Sequence, residues 1–516
     1  MVNATSLKRL AAISAAVALI GLMAAEARAQ VPTPTPDFTR VNQDELASFY
    51  GRMNVVVGSG ARAFGMGGAF LARADDATAA SWNPAGLSYL RRKEFSLVGV
   101  HNDFSQRIPK VNEAVPPGNP PIPVTTLDQL QGSVADFAGF AYPLRISGRN
   151  VAVQASYQRS FSFTGSRKSE GPVGVKGFSD SGQTVLPTEF TVEGKGGFDT
   201  LSLSSGIELH PRVRLGLSLN RWINGFSQTV ERPNAQTGGY RRIGSTWDIS
   251  GTNFNIGALL TPTPKLNVGF VYKTPLLATV RLSKVREDLP AAIDGETGVR
   301  LDPEFVRNEG DARIRFPRVY GLGASYRPTN TLTFSADFTR TAWSQATITN
   351  FFSLARRIPA EEGVPPTDPV DRYGERPFPA VEVPAPAEGV FRQVDTSQVR
   401  VGAEWVLRLG QSGNFLLPLR AGFFRDGQPV LIRLTEKEAA PGSPPTNIRP
   451  VFSGYTAGFG ITVGGILFDV AYIRERGSVI ASRTADGIFD ARDPARREIR
   501  YNRVFASLMF RFGERR

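Results

Sequence analysis

The amino-acid sequence predicts an all-β fold, a transmembrane antiparallel β-barrel of about 14 strands. Three observations predict it. Segments of about ten residues alternate between apolar and polar side chains, as strands with two differently solvated faces do. The connections between these segments alternate between long and short. One apolar run near the N-terminus ends at a small-residue site, which is typical of an exported chain.

The leader is the first element. Lys8 and Arg9 precede an apolar run over residues 10–25, and Ala-Arg-Ala at 27–29 supplies the small-x-small pattern expected before a signal-peptidase cut. We therefore expect residues 1–29 to be a cleaved signal peptide. No later segment approaches the roughly 18 consecutive apolar residues that a spanning helix needs, so we expect export without helical spans.

The composition excludes several classes of protein. The 516 residues include no Cys and only two His, so zinc fingers, iron–sulfur sites and disulfide frameworks are excluded, and we expect no cofactor and no metal. The formal net charge is +13, but in an exported chain we do not expect nucleic acid as the partner of that charge. The length would suit about three soluble domains, yet no break in composition divides the chain, and large barrels reach this size as one unit.

The strands follow from the alternation. In residues 149–163 the odd positions carry mainly apolar side chains and the even positions mainly Gln and Ser. The same reading predicts 14 strands, at residues 94–104, 133–143, 149–163, 197–209, 212–224, 247–260, 265–274, 313–326, 331–342, 396–408, 416–425, 453–462, 466–474 and 501–512. The strand at 416–425 is the least regular, because Pro418 cannot donate a ladder hydrogen bond.

The connections favour a membrane barrel over a β-sandwich. The short ones are residues 144–148, 210–211, 261–264, 327–330, 409–415 and 463–465; the long ones are 105–132, 164–196, 225–246, 275–312, 343–395, 426–452 and 475–500. Bacterial outer-membrane barrels place short turns in the periplasm and long loops outside. The last strand alternates and ends in an aromatic residue. It thus resembles the C-terminal signature by which barrel-assembly machinery takes up outer-membrane proteins, although residues 513–516 follow it. We therefore expect a protein of the bacterial outer membrane.

Residues 30–92 precede the strands and do not alternate. A short helix is predicted at 42–53, and a glycine-rich run follows at 58–68. A phosphate-binding loop is not favoured, because no Gly-Lys-Ser/Thr sequence ends the run. Glycines in such a segment instead allow its backbone to pack closely against neighbouring walls.

The end of this segment carries two carboxylates and an Asn-Pro pair. Asp75 is predicted to cap a helix at residues 77–82, since it and Asp76 do not face each other as an acid–base pair would. Asn83 should end that helix, because the residue before Pro84 avoids the helical region.

Two runs carry a family resemblance, Arg-Ala-Phe-Gly-Met-Gly-Gly-Ala-Phe at 62–70 and Trp-Asn-Pro-Ala-Gly-Leu at 82–87. They resemble the N-terminal segment of the outer-membrane long-chain fatty-acid transporter (FadL) family, which includes aromatic-hydrocarbon transporters. Residues 318–328, 337–344, 399–405, 418–429 and 458–472 resemble barrel segments of the same family. The resemblance thus extends over nearly all of the mature chain.

The resemblance implies a barrel over residues 93–516 whose lumen is closed by residues 30–92 acting as a hatch. It implies uptake of hydrophobic molecules, long-chain fatty acids or related hydrocarbons, by capture in outer loops, binding in an apolar lumen pocket, hatch movement and sideways exit at a kinked third strand. The third strand here, 149–163, has no internal Gly or Pro to mark a kink. The implied surroundings are outer-membrane lipid and lipopolysaccharide, and the implied oligomeric state is a monomer.

Candidate ligand-binding or hatch residues are Phe64, Met66, Phe70, Leu71, Asn83, Pro84 and Ala85. The first four are expected to face the barrel wall or the ligand, with packing as the favoured role. Cations predicted in long connections are Arg167, Lys168, Arg241 and Arg242. They could hold a fatty-acid carboxylate, meet lipopolysaccharide phosphates or stay hydrated.

Three other functions compete with uptake. An outer-membrane enzyme would need a nucleophile and a base, and of the two imidazoles His101 could face the lumen while His210 lies in a turn; neither has an evident partner, so we expect no catalytic site. A PorV-like barrel serving protein secretion or surface assembly is the main alternative; the Pro-rich connection 343–395 could shelter a ligand entrance or bind a partner protein. A diffusion porin is less favoured, because residues 30–92 would obstruct an open channel.

Overall fold

The computed structural model describes residues 58–111, 123–172, 187–233, 240–289, 304–349, 355–357, 391–393, 395–409, 415–428, 431–433, 451–482 and 494–513. The predicted signal peptide at 1–29, the predicted helix at 42–53 and much of the predicted long connections lie outside these residues. The leader and the predicted domain boundaries therefore stay predictions.

Fourteen strands, several of them interrupted, form one sheet. They are β1 Lys93–Val111, β2 Pro123–Ile146, β3 Arg149–Ser162 with Gly165–Pro172, β4 Pro187–His210, β5 Val213–Ile223 with Gly225–Pro233, β6 Tyr240–Thr263, β7 Leu266–Lys273 with Leu276–Leu289, β8 Glu304–Phe316 with Val319–Tyr326, β9 Leu332–Thr341 with Thr347–Thr349 and Ala355–Arg357, β10 Thr396–Leu409, β11 Phe415–Gly427, β12 Val451–Val463, β13 Ile466–Ser482 and β14 Pro494–Phe512. Two short strands, Phe391–Gln393 and Leu431–Arg433, pair with each other.

The sheet closes on itself, because β1 pairs with both β2 and β14. Both ladders are antiparallel. The ladder between β1 and β14, which closes the barrel, begins at the pair Lys93 and Phe512, at the end of the barrel that carries the short turns. The predicted closed barrel of 14 antiparallel strands is therefore confirmed. β2 and β4 are longer than predicted, each with 24 residues, and the extra residues lie at the end with long connections. Beyond the lipid both faces of a strand meet water, so the alternation that marks it in the sequence fades.

The outer face of the barrel is apolar. Along Val319–Tyr326 of β8 buried and exposed residues alternate without exception, and the exposed positions include Leu322 and Tyr326. Phe334 and Phe338 of β9 continue this surface on the next strand. Such a belt is what a strand in contact with lipid requires. Among the described residues, no helix has the length and apolar character needed to cross a membrane.

Five neighbouring or near-neighbouring strands are interrupted partway along. β3 breaks at residues 163–164, β5 at Asn224, β7 at 274–275 and β8 at 317–318, while β9 breaks at a 3₁₀ helix, Trp343–Gln345. Asn224 has a positive φ of 64°, which Asn tolerates better than most residues. Pairing with the neighbouring strand stops at the break and resumes beyond it; in β3, for example, both parts of the strand pair with β4.

The third strand is kinked although its own sequence shows no breaker. Its register with β4 shifts between Arg159 and Phe161, and the strand then breaks at 163–164. The glycine that permits the break is on β4, where Gly196 has a φ of 91° and its carbonyl accepts a hydrogen bond from the Phe163 N–H at 3.0 Å. The absence of Gly and Pro within residues 149–163 therefore does not prevent the irregularity that the family resemblance implied for this strand.

The irregular strand at Pro418 is present as β11. Its ladder with β12 is intact at Leu416 and resumes at Leu419, but it has no pair at Pro418. Because proline lacks an N–H, the local loss of one ladder bond is the expected accommodation.

Residues 58–92 lie inside the barrel and are almost entirely buried. They form two short helices, α1 Ala61–Gly65 and α2 Ala79–Trp82, and a 3₁₀ helix, Pro84–Tyr89. Their apolar side chains join those of the inner barrel wall in one cluster. We call residues 58–92 the lumen segment.

The start of α2 differs from the prediction. Asp76, rather than Asp75, accepts hydrogen bonds from the N–H and hydroxyl of Thr78, at 2.9 and 2.6 Å, just before the helix. Asp75 instead pairs with two arginines. The helix ends before Asn83, whose backbone is extended as expected of a residue that precedes proline.

Candidate functional site

The lumen segment rests on glycines of the barrel wall. Eight of them, one from each of eight strands, face inward and lie against its backbone: Gly206, Gly216, Gly257, Gly269, Gly323, Gly402, Gly422 and Gly458. A Cβ on Gly216 would lie 2.1 Å from the amide nitrogen of Ala85, and one on Gly402 would lie 2.1 Å from the carbonyl oxygen of Met66. No side chain fits between these two backbones. The predicted close packing concerned only the glycines of the segment, although glycine on the polar face of an alternating strand is a signal visible in the sequence.

The predicted residues Asn83, Pro84 and Ala85 connect the segment to this wall. The Asn83 amide nitrogen donates to the carbonyl oxygens of Leu71, at 3.0 Å, and Ala258 in β6, at 3.1 Å. Its amide oxygen accepts from the Ala85 N–H at 3.2 Å. Pro84 and Ala85 lie directly on Gly206 and Gly216. The Asn-Pro-Ala run therefore joins two parts of the segment to the wall.

Two polar side chains of the wall bind the middle of the segment. Asp337 of β9 accepts from the N–H groups of Phe70 and Leu71, at 2.6 and 2.8 Å. Thr456 of β12 accepts from the Gly67 N–H and donates to the Gly65 carbonyl oxygen, both at 2.9 Å. The wall thus supplies partners for backbone groups that would otherwise be buried without one.

A buried ion network fastens the segment to β10 and β11. The Glu404 carboxylate binds Arg62 at 3.1 Å, Arg73 at 3.1 Å and Arg420 at 2.8 Å. Arg62 also contacts Asp75 at 2.7 Å. Burial raises the pKa of the Asp75 carboxyl, but the neighbouring guanidinium groups of Arg62 and Arg73 lower it further, so this pKa lies below its usual value. No local sequence pattern predicts this network, because its members are far apart in the chain.

The four predicted apolar residues of the segment pack against the wall or against each other. Phe64 stacks on Phe505 of β14, with ring centroids 4.3 Å apart, and Phe70 meets Trp82 edge-on at 5.9 Å. Met66, Phe70 and Leu71 are fully buried. None of the four lines the cavity described next, so their positions fit the packing role; a role in ligand contact stays a prediction.

A cavity of about 120 Å³ lies between α2 and a cluster of aromatic side chains. The cluster is formed at the strand interruptions and includes Phe161, Phe163, Phe198, Trp222, Phe226, Trp247, Phe316 and Trp343. Phe163 and Phe226 stack with centroids 3.9 Å apart. One side of the cavity is therefore apolar and aromatic, while the side towards α2 is lined by Ser81 and polar residues of the wall.

Polar groups in this cavity include one cation. Lys273 of β7 is the only charged residue among the described residues that line it, and its ammonium group donates to the Ser81 carbonyl oxygen at 3.3 Å. Within the described part of the chain, the buried Asn255 Oδ1 and Thr341 Oγ atoms have no hydrogen-bond partner. A buried polar atom without a partner costs free energy, so a ligand or water that bonded here would be stabilised.

The lumen segment separates this cavity from a larger one, of about 550 Å³, near the short turns. That second cavity is lined by Arg73 and Asp75 of the segment and by Lys265 and Arg327 of two turns. The segment, seated on the wall glycines, thus lies between the two cavities.

The ladder between β2 and β3 has a gap beside the start of the segment. The described pairs end at Gln131 and Ser166 on one side and resume at Phe137 and Gln158 on the other. Within this gap the carboxylate of Asp136 accepts a hydrogen bond from the hydroxyl of Ser59. The Ser59 N–H in turn donates to Ser81 Oγ at 3.0 Å. Ser59 and Ser81 thus lie between the cavity and the gap.

The two histidines are outside the lumen. His101 is exposed on the outer face of β1, where its Nδ1 is 2.8 Å from Ser133 Oγ, so it does not take the lumen-facing position that the sequence left open. His210 accepts from the Arg212 N–H in an exposed turn. Among the described residues, no three carboxylates or histidines are grouped as metal ligands. Of the four cations predicted in long connections, Arg242 pairs with Glu231 at 2.6 Å. The side chains of Arg167, Lys168 and Arg241 lie outside the described ones, so their predicted roles stay predictions.

Comparison with known proteins gives one family. A family model described as "Outer membrane protein transport protein (OMPP1/FadL/TodX)" matches residues 47–353. No curated protein matches the chain.

Solved structures of the same kind resemble the barrel. The crystal structure of a Pseudomonas aeruginosa FadL homologue superposes with a TM-score of 0.52 at 14% identity, over 89% of this chain and 99% of that one. The Ralstonia pickettii toluene transporter TbuX gives 0.48 at 13% identity, over 89% and 100%. The Pseudomonas putida toluene transporter TodX gives 0.46 at 14% identity, over 89% and 100%. At these identities the first likeness shows a shared fold.

Proposed function

The chain belongs to the OMPP1/FadL/TodX family of outer-membrane transport proteins, and on that premise we propose that the cavity beside α2 is its ligand site. The family consists of transporters of hydrophobic substrates, not of enzymes, and it is located in the outer membrane. The cavity is the place in the described lumen where an aromatic cluster and hydrogen-bonding groups face the same enclosed space. Sites that bind small molecules commonly combine these two features.

The proposed cargo is an amphipathic molecule with an acidic head, of which a long-chain fatty acid is the simplest example. The observation that carries this proposal is Lys273, a cation inside a cavity that is otherwise lined by neutral side chains. A carboxylate there would form a charge-assisted hydrogen bond with the ammonium group. Each methylene of the tail buried against the aromatic cluster would add about 0.8 kcal/mol. The cavity holds the head and the adjacent part of the tail.

The proposed route out of the cavity is sideways. The lumen segment is seated on wall glycines across the way down the lumen, whereas Ser59 and Ser81 lie between the cavity and the ladder gap. We infer that residues 58–60 move aside to open this path while the remainder of the segment, held by the glycine contacts and by Glu404, stays in place. The hatch movement is then confined to the start of the segment.

Lys273→Met tests the ligand site. We expect the purified variant to bind oleate at least about tenfold more weakly than the wild type, because one charge-assisted hydrogen bond is lost. Binding of toluene, which has no charge, should be unchanged. Quenching of tryptophan fluorescence is a suitable readout, since Trp222 and Trp343 line the cavity.

The matched control is Lys265→Met, which removes a cation from an exposed turn outside the ligand cavity. Oleate binding that is unchanged in Lys273→Met, or lowered equally in Lys265→Met, would show that the cavity lysine does not hold the head group. Loss of both ligands in Lys273→Met alone would mean that the cavity is the site but that the acidic head is not what it selects.

A further inference from the structure

Four arginines form a basic patch on the outer face of the barrel, at the end with long connections. Arg425 of β11, Arg474 and Arg476 of β13, and Arg500 of β14 are all exposed and point away from the lumen. We call these four residues the arginine row. In a barrel of this kind that end faces the outer leaflet and the cell exterior.

The register of the strands brings these charges together. Arg476 and Arg500 are directly opposite each other across the β13–β14 ladder. Ser453 of β12 separates Arg476 from Arg425 along the same row of pairs. Side chains directly opposite each other on adjacent antiparallel strands are roughly 5 Å apart at Cβ, and like charges in that arrangement destabilise the sheet. A bound anion would remove the repulsion.

The described part of the chain supplies no counter-ion. None of the four guanidinium groups forms an ion pair or a hydrogen bond there. Other arginines on the outer face differ: Arg340 of β9 binds Asp395 at 3.1 Å, and Arg221 of β5 donates to the Thr252 hydroxyl at 3.3 Å.

The carboxylates that lie closest to the arginine row in the strand register do not act as its counter-ions either. Asp103 of β1 accepts hydrogen bonds from Asn502 and Gln131, and Glu498 of β14 is exposed without an ion pair to the row. The arginine row is therefore an uncompensated positive surface as far as the described residues extend.

An apolar surface adjoins the row on the side towards the membrane centre. Tyr455 of β12, 69% exposed, contacts Phe423 of β11 with ring centroids 5.4 Å apart. Phe459 and Phe468 extend this surface towards the short turns. A molecule that fits both surfaces must carry anionic groups at one end and long acyl chains at the other.

We propose that the arginine row binds the phosphate groups of lipid A, the lipid anchor of lipopolysaccharide, while the acyl chains lie on the aromatic surface beside it. Arginine suits this role because its planar guanidinium group can give two hydrogen bonds to one phosphate. The same charges would attract a free phosphate ion, but the adjoining apolar surface selects a lipid. This site is separate from the lumen cavity and does not depend on the cargo.

The test compares binding of diphosphorylated lipid A to the wild type and to R425Q/R474Q/R476Q/R500Q, both purified in a non-ionic detergent and measured by native mass spectrometry. We expect the variant to bind at least about tenfold more weakly, since each basic residue near a lipid headgroup contributes measurably. Wild-type protein should bind dephosphorylated lipid A more weakly by a similar factor. Millimolar inorganic phosphate should not displace the phosphorylated lipid.

The matched control, R221Q/R315Q/R340Q, removes charges from the outer face of β5, β8 and β9 and should keep wild-type affinity. Heat-dependent migration in SDS gels reports whether each barrel is folded, and R476Q/R500Q serves if the fourfold variant does not fold. Equal binding by the wild type and the row variants, equal binding of both lipid A forms, or an equal loss in the control would overturn the proposal. Displacement by inorganic phosphate would overturn the choice of a lipid as the occupant.

Discussion

The contact between the lumen segment and the barrel depends on residues without side chains. Gly216 faces Ala85 so closely that a Cβ would overlap a backbone nitrogen, and Gly206 and Gly257 flank it in register on the adjacent strands. A methyl group there cannot be accommodated by rotation of a neighbouring side chain, because backbone atoms occupy the space. Single methyl groups should therefore disturb the segment.

Gly216→Ala is expected to destabilise the folded barrel by about 1–3 kcal/mol, the usual range for overpacking a tight contact. The measurement is urea-induced unfolding followed by tryptophan fluorescence in detergent. Gly99→Ala is the control, because a Cβ at that position on the outer face of β1 meets only the Val134 carbonyl oxygen, at 3.8 Å. Equal stability of the two variants would contradict a backbone seat at Gly216.

The ion network gives a second prediction for a single residue. Glu404→Gln leaves Arg62, Arg73 and Arg420 without their shared carboxylate in a buried place. Removing one partner of a buried ion pair costs about 3–5 kcal/mol. We expect a loss of that order in the same unfolding measurement.

Its control is Glu231→Gln. Glu231 and Arg242 are 2.6 Å apart, but their side chains are 45% and 47% exposed, and exposed pairs contribute about 0–1 kcal/mol. A Glu404→Gln variant as stable as Glu231→Gln would mean that water reaches the network and that it does not fasten the segment.

At the scale of elements, the strands were predictable where one face meets lipid and the other the lumen. Residues 466–474 alternate and form the first part of β13, whereas the continuation of this strand to Ser482 has no such signal. The kink in β3 could not be read from its own residues, since Gly196 on the neighbouring strand permits it. The same applies to the ion network: no local pattern relates Arg62 to Glu404.

The lumen segment consists of a fixed part and a part that we propose to move. Residues 61–87 contact wall glycines, Asp337 and Glu404, whereas Ser59 reaches the wall through a hydrogen bond to Asp136 in the ladder gap. Displacement of residues 58–60 would break the hydrogen bonds of Ser59 to Asp136, Ser81 and Trp82 but no ion pair. Displacement of the rest would expose buried charges.

Paired cysteines test this division, and the absence of native cysteine makes the experiment clean. Ser59→Cys with Asp136→Cys, bridged by a short bis-methanethiosulfonate cross-linker, should abolish uptake, and a reductant that cleaves the two disulfides should restore it, because the moving part is tied to the gap. Ala61→Cys with Ser507→Cys joins α1 to β14, where the Ala61 N–H donates to the Ser507 hydroxyl at 2.7 Å, and should leave uptake unchanged. Loss of uptake in the second pair would mean that the whole segment moves.

For the whole molecule, closure and strand number followed from connections that alternate in length, because antiparallel strands return to the same side after every second connection. The cavity could not be predicted in this way. Its lining comes from strands β3 to β9 and from α2, and Lys273 is one inward residue among many in the sequence. Only the closed barrel shows that this lysine and the aromatic cluster face the same space.

The most direct measurement is uptake of labelled oleate and toluene by cells that lack the gene, with and without a plasmid copy of the intact chain. We expect oleate uptake to be lost in the deletion strain, restored by the intact chain and not restored by Lys273→Met. Unchanged uptake in the deletion strain, together with loss of exported proteins from the medium or the cell surface, would contradict transport and favour a secretion barrel.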